Sequence, residues 1–204
     1  MNPDREWWLR VPAVLLSPRS VFAALRSEEQ EDVEARAEPV LALTLLAGIA
    51  IALGTSTARR LYDDPLYDPL TLAVWAVIAG GFVAFAGYFI VGGALYLGAR
   101  GLGSAGTFRR ARHVLGFSVA PLALSALVLW PIGLAVFGTD LFKRGGDDVG
   151  AAGDLFYAAA LGFSLWAVAL LLLGVRVVHG WGWARSLAAL GLVVLFLAAF
   201  SYVF

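Results

Sequence analysis

Cysteine is absent and histidine occurs only at His113 and His179, which excludes disulfides, thiolate chemistry and cysteine-ligated metals. Charge is scarce too. Asp, Glu, Lys and Arg make up 15% of the chain and their signs cancel, whereas a soluble domain carries about 25% charged residues. Sparse, balanced charge offers nucleic acid no bulk attraction. No ionisable side chain stands in the middle of a long apolar run. Because such groups mark ion pathways and proton relays, a proton-coupled pump gains no support.

What the chain has is apolar sequence in long blocks: 60% of its residues are hydrophobic and the mean hydropathy is +0.80. A helix needs about 20 residues to cross a hydrocarbon core of roughly 30 Å. Five blocks meet or approach that length: Pro39 to Thr57, Leu70 to Ala99, Val114 to Gly138, Leu155 to Val178 and Ala184 to Tyr202. The expected fold is therefore all-α: a polytopic integral membrane protein with five transmembrane helices. The second block is long enough to tilt, or to bend at Gly80-Gly81 or Gly92-Gly93; a re-entrant piece is the alternative.

Orientation follows from where the cations stand. Eleven arginines, from Arg5 to Arg36, from Arg100 to Arg112, and at Arg176 and Arg185, fall on one side of this arrangement. The other side holds Arg59, Arg60, Lys143 and Arg144 among seven aspartates. The positive-inside rule then predicts a cytoplasmic N-terminus and an extracytoplasmic C-terminus. Asp63-Asp64 and Asp147-Asp148 are expected to be solvated charge. For a prokaryotic source the expected location is the plasma membrane.

Residues 1–38 are expected to form a cytoplasmic or interfacial segment and residues 39–204 the membrane domain. Ser17-Pro18 is a cap and first-turn signal, after which Val21, Phe22 and Leu25 share one helical face. This amphipathic helix is expected at the interface, with Trp7 and Trp8 at headgroup depth and Arg10 toward anionic lipid. The apolar run VPAVLLSP is shorter than a signal-peptide core and lacks a small-residue cleavage site, so the N-terminus is expected to be retained. Glu28 to Glu38 is an acidic linker.

Small residues recur at helical spacing. Ala73, Ala76, Gly80, Ala84 and Gly87 fall along one stripe of the second span, and Gly116/Ala120 and Ala158/Gly162 repeat the small-xxx-small pattern. Such faces let helices approach closely where lipid supplies no hydrophobic drive. Packing within the bundle is the first expectation, self-association the second. Pro121 should bend the third span, with Ser118 and Ser125 positioned to bond freed backbone groups.

Neither histidine has a neighbouring acid or second ligand, so neither is expected to be a base or a metal ligand. No HExxH signature occurs. No metal, cofactor or catalytic residue is expected, and the chain reads as a non-enzyme. GLGSAG, from Gly101 to Gly106, lacks the Lys-Ser/Thr of a Walker loop and the βαβ setting of a dinucleotide loop. It reads instead as a turn before Arg109, Arg110 and Arg112, which are expected to anchor the next helix to anionic lipid.

The stretch GTFRRARHVLGFSVAPLALSAL, with Gly106, Thr107, Phe108, Arg109, Gly116 and Pro121, resembles the loop and third membrane segment of the Yip1 family. SPRSVFAAL is similar to the segment that precedes the first span in bacterial relatives. The resemblance covers residues 12–202 and implies five helices with a cytoplasmic N-terminus. Eukaryotic relatives act in membrane trafficking and associate with small GTPases or with one another. This compact chain lacks an extended cytoplasmic domain, so GTPase binding is not carried over. The expected function is a noncatalytic membrane scaffold or organiser, with anionic lipids, a second copy or another membrane protein as partners. A small transporter or channel is the alternative.

Overall fold

Where helices begin is set locally. Asp68 accepts the Thr71 amide at 2.6 Å and Thr107 accepts the Arg110 amide at 3.2 Å, and each satisfies an amide that the first helical turn leaves without a partner. The computed structural model describes residues 3–27, 37–146 and 148–203, and all regular structure among them is helical. Helix α1 spans Pro3–Leu16, α2 Pro18–Ser27 and α3 Glu38–Leu53. A 3₁₀ turn, Ala58–Asp63, precedes α4 (Pro69–Ala86), which passes through a π turn, Gly87–Val91, into α5 (Gly92–Gly101). Next come α6 (Phe108–Ser118), α7 (Ala120–Leu127), α8 (Leu129–Phe137) and a second 3₁₀ turn, Gly138–Phe142. The last two helices are α9 (Ala151–His179) and α10 (Trp183–Val203).

Three helical segments are long and apolar enough to cross a membrane: Pro69–Gly101, Phe108–Phe142 and Ala151–His179. Glu38–Leu53 and Trp183–Ala199 are shorter apolar helices. The chain is a multi-pass membrane protein.

One irregularity sits away from the positions the sequence suggests, and another falls at the proline expected to bend the third span. The long Pro69–Gly101 segment is disturbed at the π turn, rather than at Gly80-Gly81 or Gly92-Gly93. The third segment breaks at Val119 (φ −84°, ψ 5°) and at Val128 (φ −121°, ψ −58°). The first break admits Pro121, which has no amide hydrogen and is best accommodated in the first turn of a helix. Ser118 and Ser125 do not bond the carbonyl that Pro121 leaves unmet. Their hydroxyls donate to Val114 and Leu122 carbonyls at 2.6 and 2.7 Å, while the Phe117 carbonyl accepts a backbone amide at the break itself.

The bundle holds one apolar cluster toward each end. The first gathers Val14, Val21, Phe22, Leu25, Val114, Phe117 and Val175; the second gathers Leu61, Trp130, Leu141, Phe142 and Phe156. The face of α2 read as interfacial is thus turned inward. Phe22 and Leu25 are fully buried, and a Cβ on Gly174 of α9 would meet the Phe22 ring at 2.9 Å. Close packing against protein replaces the lipid contact expected there, and residues on both sides of position 38 share one core.

Between α3 and α4 the backbones nearly touch. A Cβ on Gly80 would lie 2.7 Å from the Ile49 Cα, and one on Gly48 would meet the Ala84 amide nitrogen at 2.8 Å. Van der Waals contact of this kind holds helices together in lipid.

Candidate functional site

The small-residue stripes are only partly used inside the chain. Ala76, Gly80 and Ala84 lie along the α3 contact, with Gly48 as the partner that sequence periodicity did not single out. Gly116 packs on Val40 and Thr44, and Ala120 and Pro121 are buried. Ala73 is exposed, and Gly87 borders an apolar lateral groove of about 200 Å³ without a close neighbour. Ala158 and Gly162 are exposed on α9, and among the described residues a Cβ on Gly162 would meet nothing within 4 Å. The stripe is straight on a helical projection, but a partner helix crosses it and covers only its middle.

Several serine and threonine hydroxyls in the bundle are turned to nearby backbone. Thr44 donates to Val40 O at 2.7 Å, Ser164 to Ala160 O at 3.0 Å and Ser186 to Gly182 O at 3.1 Å, as do Ser118 and Ser125 within their helices. A hydroxyl bonded this way commits its proton to nearby backbone, although Ser125 and Ser164 still line a cavity of about 270 Å³ with Trp130 and Tyr157.

Polar chemistry is therefore concentrated at the two ends. At one, Tyr157 OH donates to Asp148 Oδ2 at 2.6 Å, and Arg59 reaches the same oxygen at 3.4 Å while lying 4.4 Å from the centre of the Tyr157 ring. The Asp148 side chain is 3% exposed and the Arg59 side chain 48%. Asp148 is thus not the solvated charge expected from its position beside Asp147, which itself lies outside the described residues. Burying a carboxylate demands partners, and α9 and the Ala58–Asp63 turn supply them. Arg144 pairs with Asp63 through its backbone amide at 2.9 Å and its Nε at 3.5 Å, and Lys143 pairs with Asp140 at 2.6 Å. Beneath them, the Trp130 ring lies near-parallel to Phe142 and meets Phe156 edge-on, with centroids 6.4 and 5.4 Å apart.

The other end is built from arginine against aromatic rings. Arg176 lies 4.4 Å from the centre of the Trp183 ring, Arg185 4.4 Å from that of Trp181, and Arg100 5.7 Å from that of Tyr96, whose hydroxyl it also contacts. Arg185 donates to the Leu102 carbonyl, and His179 meets Ser104 Oγ at 3.1 Å while stacking on Trp181 at 4.5 Å. These contacts tie the 102–107 loop to the α9–α10 turn. Among the described residues, no carboxylate pairs with Arg26, Arg100, Arg176 or Arg185.

The residues read from sequence as lipid anchors are divided by this geometry. Trp8 is half-exposed and Arg10 partly buried on α1; the Trp7 side chain lies outside the described residues. Arg109 and Arg110 are partly buried, and Arg110 lines a small cleft with Ser104, Thr107 and His179. Arg112 is withdrawn among rings, its guanidinium carbon 4.5 Å from the centre of Phe108, 4.7 Å from Tyr88 and 5.3 Å from Phe89. Tyr88 and Phe89 belong to the π turn, so that irregularity furnishes two of the three rings. Arg110 and Arg112, two residues apart, point to different sides of one helix and meet different surroundings.

Trp181 and Trp183 are readable from sequence as aromatics at span ends, whereas Arg26, Arg176 and Arg185 read only as charges that set orientation. The spacing of Trp181 and Arg185, four residues apart, is a usable signal. The approach of Arg26 from α2 has no counterpart in local sequence. His113 is fully buried, with Nδ1 3.0 Å from the Arg109 carbonyl, so it is a core residue. Among the described residues no three His, Asp or Glu side chains are grouped to hold a metal.

Compared with known proteins, the chain matches the family model described as Yip1 domain over residues 13–204. No curated protein matches it, and no solved structure does.

Proposed function

From the premise that this chain belongs to the Yip1 family, we propose that it is a noncatalytic membrane scaffold with five spans, a cytoplasmic N-terminus and the plasma membrane of a prokaryote as its location. Residues 1–38 contribute the cytoplasmic segment and residues 39–204 the membrane domain. The observation that carries this reading is the disposition of its polar groups. Thr44, Ser118, Ser125 and Ser164 bond carbonyls of their own helices and Ser186 bonds the Gly182 carbonyl just before α10, whereas conduction needs polar groups that replace an ion's hydration shell along a path. What the bundle offers to others is its surface: the outward Ala158/Gly162 face, suited to close helix approach, and a basic end suited to anionic headgroups.

Crosslinking in native membranes, followed by mass spectrometry, should recover a second copy or one reproducible membrane-protein neighbour through α9. A monomer with no specific neighbour would reject the scaffold. Flux above that of empty vesicles after reconstitution would replace it with the transporter reading. Orientation has its own test, which the absence of native cysteine makes clean. An impermeant maleimide added to intact cells should label Ser56→Cys and leave Gly101→Cys unlabelled; the reverse pattern inverts the topology.

A further inference from the structure

The α9–α10 turn is left-handed at Gly180 (φ 64°), and Gly103 in the facing loop is also positive (φ 84°). Both positions favour glycine on backbone grounds, and Gly180 ends α9 by placing the Trp181 amide on the Arg176 carbonyl at 3.0 Å. Each glycine also has a guanidinium laid over the space where a side chain would start. A Cβ on Gly180 would meet Arg26 Nη1 at 3.0 Å, and one on Gly103 would meet Arg185 Nη2 at 3.0 Å. Arg26 arrives from α2 and Arg185 from α10, and both settle around the Gly180-Trp181 pair.

Three features bear on what this arrangement holds. First, Arg26 and Arg185 are exposed and have no carboxylate partner among the described residues. A guanidinium has five N–H donors, and the Leu102 carbonyl engages Arg185 through Nη2 alone. Second, the Arg185 side chain is held before any ligand arrives by the Trp181 ring and the Leu102 carbonyl, and the Arg26 guanidinium lies close over Gly180. Less freedom is then lost on binding. Third, the turn lies where the membrane-length segments Pro69–Gly101 and Ala151–His179 end, with Trp181 and Trp183 beside it. Tryptophan is favoured at headgroup depth, where lipid phosphates are the abundant anions.

We propose that Arg26 and Arg185, converging over Gly180 and Gly103, form a clamp for the phosphate of an anionic phospholipid headgroup, with Trp181 and Trp183 against the glycerol and upper acyl region. The clamp rests on the membrane reading above and names its lipid partner. It depends neither on self-association nor on which leaflet this end occupies. The lipid contact thereby passes from the 109–112 cluster to residues on α2 and the α9–α10 turn.

The test uses the full chain in nanodiscs of phosphatidylcholine containing phosphatidylglycerol and a trace of photoreactive phosphatidylglycerol, with labelled peptides mapped by mass spectrometry. Label should fall on the peptides carrying Leu102–Ser104 and Gly180–Arg185, and should exceed that from a photoreactive phosphatidylcholine. Arg26→Gln with Arg185→Gln should lower it by about fivefold for each cation removed. Arg26→Lys with Arg185→Lys should retain more, since charge is kept while the fork is lost. Arg59→Gln, at the opposite end, should leave it unchanged.

Label confined to Arg109–Arg112, or unaltered in the double Gln variant, overturns the clamp. So does displacement by excess inorganic phosphate, which would make it a site for the free anion. Should the double variant fail to fold, the wild-type peptide map decides alone. The scaffold reading fails by a different measurement, the recovery of a neighbour, so the two stand or fall separately.

Discussion

The two ends of this bundle handle their cations in opposite ways. At the Asp148 end, Arg59, Lys143 and Arg144 each face a carboxylate, and the pairs join the two 3₁₀ turns and the start of α9 into a cap. At the Gly180 end, Arg100, Arg112, Arg176 and Arg185 face aromatic rings. A ring holds a guanidinium in place without neutralising it, so the field of the cation stays available to an anion outside the chain. A carboxylate cancels that field. The same residue type thus closes one end and leaves the other receptive, and a count of arginines per loop does not distinguish the two uses.

This contrast can be broken at single residues. Asp148→Ala should have the largest effect, costing about 1.5–3 kcal/mol, the range for a hydrogen bond to a charged group. Most of that loss belongs to Tyr157, because the half-exposed Arg59 contributes at most about 1 kcal/mol through its ion pair. Unfolding in mixed micelles should therefore separate Asp148→Ala clearly from Arg59→Gln; equal losses would mean that the ion pair, and not the tyrosine, holds the cap.

Arg112→Gln should cost about 1–2 kcal/mol by removing a partly desolvated cation from its rings, while labelling by anionic lipid changes little. Full stability combined with lost labelling would return Arg112 to the headgroups. Arg144→Gln should cost no more than about 1 kcal/mol, and its effect should fade in high salt. A large, salt-independent loss would show that the Asp63 pair is more than a surface contact.

The smallest effect concerns Asp68. Hydrogen bonds from Thr71, its hydroxyl foremost and its amide next, hold this carboxyl below the usual aspartate range. A lowered folded value means that the cap's contribution is complete above the unfolded carboxylate value and is lost as pH falls through the folded one. The Thr71 amide resonance should accordingly titrate with a midpoint below about 3.9; a midpoint at or above that value would show that the capping bond is not held.

Much of the fold was legible because bilayer physics is written in runs. Five apolar blocks match three membrane-length segments and two shorter apolar helices, since any helix in hydrocarbon must be apolar over most of its length. Val21, Phe22 and Leu25 were readable as one face, but not the surface that face covers. Ala76, Gly80 and Ala84 were readable as a stripe, yet Gly48 across the contact and the exposure of Ala158 and Gly162 were not. Periodicity reports a face of one helix and carries no information about which helix crosses it, or where.

The candidate site shows the same division. Helix ends, the asymmetry of charge and membership of the Yip1 family follow from residue order, because caps, apolar length and local motifs act between near neighbours. The burial of Asp148 between Arg59 and Tyr157, the enclosure of Arg112 by the π turn, and the meeting of Arg26 and Arg185 over two glycines were decided by the tertiary structure alone. Each joins groups from segments distant along the chain, and the energy of such contacts depends on distances that only the packed bundle sets.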